Sequence, residues 1–234
     1  MFEIDDILNE YYFVKRLNKY TGVIKKGKSS EKVYISNPGR LENLLVPNAP
    51  IFVKKTDKPN RKTQFDLLAV KNKEDVIVGI DSRLPNWLFE YLLKNNEIED
   101  LKNYLIKKKE YRIGNSRIDY LLENKGKKCL VELKICTLVK KNTLLFPDAI
   151  SARSTKHLQD LIKINKQEYK IIVYFLGFRS DPTNFRPNSE VDPKFSDAFN
   201  SALKESIDLI PIKSIVEYKN SKLLFSNFEK IPVV

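Results

Sequence analysis

Between Tyr11 and Ile80, apolar and polar positions alternate in short runs: "YYFVKRL", "YTGVIKK", "KVYIS", "PIFVKK", "TQFDLLAV" and "DVIVGI". Turn-forming stretches such as "KGKSS", "NPGR", "TDKPNRK" and "KNKED" separate them. A two-residue period broken by Gly, Pro and Asn predicts short antiparallel strands. With one helical turn at "GRLENLL", residues 1–80 are expected to form a five-stranded, OB-like β-barrel.

The period changes after "DSRLPN". Trp87, Tyr91 and Lys94, with Leu88 and Leu92, follow helical spacing, and Asn86 is placed to cap a helix that begins at Trp87. "IEDLKNYLIKKKE" predicts a second helical segment, and "SRIDYLL" and "KCLVELKI", joined by "ENKGKK", predict a β-hairpin. A helix is expected from about Ser151 to Lys166, with Leu158, Leu161 and Ile162 on one face, and then a buried strand from Ile171 to Leu176. Asp192-Pro193 introduces a further helix over "DPKFSDAFNSALKES", and strands at "IDLIPI" and "KLLFSNF" follow. Residues 81–234 thus read as an α/β domain, a mixed central sheet flanked by helices.

Composition narrows the function. The 234 residues are 42% hydrophobic, enough for a real core, and 42 Lys and Arg against 30 Asp and Glu give a net charge of +12. Basic excess over both predicted domains points to a polyanionic partner, of which nucleic acid is the commonest, and competes with a Lys-rich solvated surface. Cys129 and Cys136 read as core thiols with neither a bridge nor a zinc site. The longest apolar run, "IIVYFLGF", is too short to cross a bilayer and no signal peptide is evident, so a cytoplasmic protein without a membrane partner is expected.

The chemistry enters at "CLVELKICT". As a strand it sets Cys129, Val131, Leu133 and Ile135 on one face and Leu130, Glu132 and Lys134 on the other, two charges in an otherwise apolar run. In "SRIDYLL", Ile118, Tyr120 and Leu122 share a face and Asp119 takes the opposite one, so hairpin pairing brings Asp119 beside Glu132 and Lys134. Two carboxylates offer hard oxygen ligands for Mg²⁺ or Mn²⁺, and an adjacent ammonium can orient a water and offset charge on phosphate. An acid, about a dozen residues and then Glu-x-Lys is the arrangement of PD-(D/E)xK nucleases. The structural alternative is an ion pair of Glu132 with Lys134 or Arg117. His157, the one histidine, falls near Arg153 and Lys156, which gives three possible phosphate contacts, while Asp148 is read as capping that helix. On the barrel, Arg16, Lys19, Asn37, Arg40, Arg61 and Lys62 stand among aromatic residues, as a nucleic-acid groove or as ordinary surface.

Taken together, "NPGRLENLLVP", "RKT", "YRIGNSRIDYLL", "CLVELKICTL", "FPDAISARSTKHLQDL" and "VDPKFSDAF" resemble, in order and over nearly the whole chain, the sugar fermentation stimulation protein A family. The resemblance implies an N-terminal OB-like domain, a restriction-endonuclease-like C-terminal domain, and DNA or RNA binding with a nuclease role. It implies Asp119 and Glu132 as metal ligands, Lys134 as the third catalytic residue, and Glu110, Arg117, Asp148 and His157 as further family positions. The chain departs from the family at "NPGR", usually "NTGR", and at "FPDAISARS", usually "FPDAPTxRG". A non-catalytic DNA-binding regulator of sugar metabolism that keeps the nuclease fold is the competing function.

Overall fold

The computed structural model describes residues 1–4, 6–57, 61–114, 116–164 and 168–234. Its strands are β1 (Phe2–Glu3), β2 (Leu8–Asn18), β3 (Thr21–Lys26), β4 (Ser29–Tyr34), β5 (Pro50–Lys55), β6 (Phe65–Lys71), β7 (Ile77–Gly79), β8 (Leu105–Ile113), β9 (Ser116–Asn124), β10 (Lys127–Ile135), β11 (Leu138–Lys140), β12 (Thr143–Phe146), β13 (Tyr169–Gly177), β14 (Asn184–Pro187), β15 (Asp208–Lys219) and β16 (Lys222–Lys230). The helices are α1 (Leu84–Lys94), α2 (Ala152–Lys163) and α3 (Pro193–Lys204).

Strands β4-β3-β2-β5-β6-β7 lie in that order, and a short parallel pairing of Val33 and Tyr34 with Phe65 and Asp66 closes β2–β6 into a barrel. Its inward positions, among them Phe13, Ile24, Val33, Ile51, Val53 and Leu67, form a separate core. The turn expected at "GRLENLL" is present: the Leu45 N–H donates to the Leu41 carbonyl at 2.8 Å.

The second sheet runs β1-β16-β15-β13-β10-β9-β8, with β10, β13 and β15 mutually parallel and the other pairs antiparallel. Each face carries its own core. Cys129, Val131, Leu133 and Tyr174 pack with Leu88 and Phe89 of α1 and with Leu8, Phe52 and Leu68 of the barrel. On the other face Leu130 and Phe175 pack with Leu158 and Leu161 of α2 and Phe195 and Phe199 of α3. Burial on both sides explains the near-continuous apolar run of β13. The two free cysteines fall in opposite cores. Asp192 couples α2 to α3: one oxygen accepts the Phe195 N–H at 3.0 Å and the other the Ser151 N–H at 2.8 Å. A small sheet, β11-β12-β14, was not foreseen from the sequence.

Several sequence expectations are corrected. "LIKKKE" is the start of edge strand β8, not helix; only Glu99–Leu101 makes a 3₁₀ turn. Lysines on an edge strand discourage pairing with other chains. The first helix begins at Leu84 with Pro85 in its first turn, and Asn86 does not cap it; its Oδ1 accepts the Tyr120 hydroxyl at 2.7 Å. Helix α2 stops at Lys163 because Ile164 is extended, and Asn165 and Lys166 lie outside the described residues. Ile118 packs in the α2–α3 core whereas Tyr120 and Leu122 pack in the opposite one, so β9 does not keep a single alternation. The reason lies at the candidate site.

Candidate active site

Strands β9 and β10 pair from Lys127 opposite Asn124 as far as Val131 opposite Tyr120. Beyond that point side chains replace the backbone ladder: Asp119 Oδ2 accepts the Leu133 N–H at 2.7 Å and Glu132 Oε2 accepts the Asp119 N–H at 3.3 Å. On the far side of β9, Glu110 takes φ +51° within β8, between the Lys109–Tyr120 and Tyr111–Ile118 pairs. A left-handed non-glycine inside a strand is costly and bends it, and such residues gather at functional sites. The backbone ladder is therefore interrupted beside Asp119 on its β10 side.

Glu132 and Lys134 project from β10 toward α2, as their two-residue spacing requires. Glu132 is 3% exposed, yet its Oε1 holds the Lys134 ammonium at 2.6 Å and His157 Nδ1 at 2.7 Å. Burial would raise its pKa, but the charge of Lys134, the His157 contact and the Lys134 hydrogen bond outweigh burial and hold it at about 2. Asp119 goes the other way. Burial first, then the charge of Glu132, push its carboxyl up to about 7, against the Leu133 N–H and Lys134. Among the described residues no three His, Cys, Asp or Glu side chains are grouped to hold a metal by themselves. Two oxygen-donor carboxylates suit Mg²⁺ nonetheless, since that ion keeps several waters and takes one or two carboxylates plus phosphate oxygens. A cation beside Asp119 would relieve the crowding that raises its pKa.

Of the remaining sequence-selected residues, Arg117 pairs with Glu110 at 2.6 Å, not with Glu132, on the exposed surface. His157 is buried against Glu132 and does not join Arg153 and Lys156, which are exposed. Asp148 does not cap α2: the Ser151 hydroxyl does, accepting the Ser154 N–H, and Asp148 leans instead on Gly39, whose missing side chain makes that approach possible. Arg16 is committed inward, donating to the carbonyls of Gly39 at 2.7 Å, Arg40 at 2.9 Å, Lys19 at 2.7 Å and Asn37 at 3.1 Å. Asn37 is buried, its amide N–H bound to the Ile80 carbonyl and its oxygen to the Gly39 N–H. These two hold the "NPGR" loop. Arg61 is tied to Asp66 at 2.5 Å; Arg40 and Lys62 are exposed.

The sequence reading missed the support beneath β9. The Tyr120 hydroxyl bonds Asn86 and also Glu90, at 2.8 Å, and Glu90 pairs with Lys109 at 2.6 Å. Tyr120 and Lys109 adjoin Asp119 and Glu110, so α1 braces the opened strands from the face opposite α2. A polar tip on a buried tyrosine was the only signal available.

The family model described as "Sugar fermentation stimulation protein RE domain" matches residues 83–220, and that described as "SfsA N-terminal OB domain" matches residues 14–80. The sugar fermentation stimulation protein homolog of Alkaliphilus metalliredigens is 37% identical over 206 residues, covering 87% of this chain and 88% of its own. That of Methanothermobacter thermautotrophicus is 32% identical over 221 residues, covering 94% and 91%. The structure of Pyrococcus furiosus SfsA in complex with Ca²⁺ superposes with a TM-score of 0.89 at 26% identity, covering 100% of this chain and 98% of that one.

Proposed function

This chain belongs to the sugar fermentation stimulation protein family, and from that premise we propose that it is a metal-dependent phosphodiesterase acting on nucleic acid. The observation that carries the reading is the knot at the parted strands: Asp119 and Glu132 bind each other's strands while Lys134 and His157 share one oxygen of Glu132. A structural ion pair needs only Glu132 and Lys134. The second carboxylate, kept beside the first at the cost of a raised pKa, is what a cation site requires.

Asp119 and Glu132 would hold Mg²⁺ or Mn²⁺, and the relative from Pyrococcus furiosus, solved in complex with Ca²⁺, supports a hard divalent cation. When bound, such an ion polarises a phosphoryl oxygen and lowers the pKa of water. His157 fixes the direction of the Glu132 carboxylate from below. Lys134, 11% exposed at its side chain, stands beside the acids to orient the attacking water and offset charge gathering on the phosphate. The distributed charge of +12 supplies attraction to the polyanion.

The test is incubation of purified protein with end-labelled single- and double-stranded DNA and RNA, with Mg²⁺ or Mn²⁺ and then with a chelator. Cleavage that needs the metal and is absent from Asp119→Asn protein is expected. Binding without cleavage under every condition would favour the non-catalytic regulator.

A further inference from the structure

Rings and guanidinium planes form an unbroken chain of contacts from the barrel to α1. Lys19 lies over the Tyr20 ring at 5.7 Å, and Tyr20 stacks on Tyr34 with centroids 6.4 Å apart and planes 21° from parallel. Arg61 lies over Tyr34 at 5.4 Å. Arg61 and Arg83 grip the two oxygens of the buried Asp66 at 2.5 and 3.0 Å, and Arg83 lies over the Trp87 ring at 5.1 Å. The contacts end at Trp87 on α1, the helix whose Glu90 holds Tyr120 and Lys109.

Its charge is largely cancelled: Arg83 also binds the buried Asp81 at 2.5 Å, so two guanidinium groups face two carboxylates. These acids fix the guanidinium planes instead of leaving them mobile, which lowers the ordering cost when a flat group stacks on them. Tyr20 is 44% exposed and Trp87 36%, so both rings keep open surface. Apart from Lys19, this surface is aromatic, planar and locally neutral, and such a surface recognises faces, not phosphates.

We propose that Tyr20, Tyr34 and Trp87 are a stacking platform for unpaired bases, so that the partner is single-stranded nucleic acid running from the barrel to α1. A duplex hides its base faces in the stack and could not use these rings. The binding surface stands by itself; that the strand is delivered for cleavage rests on the nuclease reading above.

Trp87 is the only tryptophan, so its emission reports stacking directly. In chelator, where no cleavage occurs, oligothymidylate and oligouridylate should each quench Trp87, and a duplex of equal length should not. Tyr20→Ala and Tyr34→Ala should each weaken binding of labelled single strand about 5- to 150-fold, the range for one stacked base. Tyr20→Phe and Tyr34→Phe should restore it, which separates stacking from damage to the fold. The salt slope should stay as in wild type, because no phosphate contact is removed. Unchanged Trp87 emission at saturating single strand, equal quenching by duplex, or unaltered affinity in both alanine variants would overturn the proposal. Failure of the nuclease reading has a different signature: single strand bound with quenching, then left intact when Mg²⁺ is added.

Discussion

Asp119 Oδ2 accepts the backbone N–H of Leu133 at 2.7 Å, the bond an antiparallel ladder would have given to a carbonyl. One carboxylate therefore both closes the sheet and faces the site. Asp119→Ala should abolish cleavage and also lower stability by about 1–3 kcal/mol, since it leaves a buried N–H unpaired. Asp119→Asn keeps the acceptor and should unfold near wild type below about pH 4, where the wild-type carboxyl is also neutral, while losing the calorimetric response to Mg²⁺. Denaturant titration and metal calorimetry of the two variants check both halves.

The opposite pKa shifts of the two acids set the metal-free stability profile. Asp119 is raised from about 3.9 to about 7, so the folded chain keeps a proton that the unfolded chain releases. Its stabilising contribution is full below about pH 4 and is lost as pH rises through 7. Glu132, held at about 2, contributes above about pH 4.3, and that contribution disappears as pH falls toward 2. Relative to Asp119→Asn, metal-free wild type should lose melting temperature between pH 5 and 8, and saturating Mg²⁺ should restore it by favouring the ionised carboxylate. A wild-type advantage that grows with pH in chelator would contradict the assignment.

Lys134 and His157 share an oxygen of Glu132 but should fail differently. Lys134→Ala removes the ammonium beside the phosphate, an expected loss of roughly 10²–10³ in kcat. His157→Ala only loosens the Glu132 carboxylate, an expected 10- to 100-fold loss in metal affinity or rate. Raising Mg²⁺ should recover much of the His157→Ala activity and little of that of Lys134→Ala, as a metal titration of the cleavage rate would show.

Two basic barrel residues with the same sequence credentials should separate. Lys62→Ala, at an exposed position, should reduce the slope of log affinity against log salt by about 1 if it meets a phosphate. Arg16→Ala strips partners from the carbonyls of Lys19, Asn37, Gly39 and Arg40, and its main effect should be a lower melting temperature. An unchanged melting temperature with a reduced salt slope would return Arg16 to the nucleic-acid surface.

What could be read in advance was local. The alternation of β2 and β3 and the hairpin of β9 and β10 are written into neighbouring residues, and Lys125 and Gly126 both take the positive φ that such a tight turn needs. Glu132 and Lys134 were legible because a charge on an apolar strand has few explanations. The strand β8 was not, since "LIKKKE" is rich in helix formers and only its partner β9 makes it extended. The inward turn of Arg16 and the burial of His157 are likewise decided by residues distant in sequence, the "NPGR" loop for one and Glu132 for the other.

The segment ahead of the barrel belongs to the other end of the chain. Phe2 and Glu3 pair with β16, the Leu8 N–H donates to the Ser221 carbonyl, and the Tyr218 hydroxyl reaches the Leu8 carbonyl across 210 residues. During synthesis Phe2, Glu3 and Ile4 must wait until the ribosome has released β16, because their docking place does not exist before then. The barrel, whose pairings all lie within its own stretch, can close long before, so the nascent chain carries a finished barrel ahead of an unsealed second core. A tag or fusion at the first residue would therefore burden the last step of assembly, not the first.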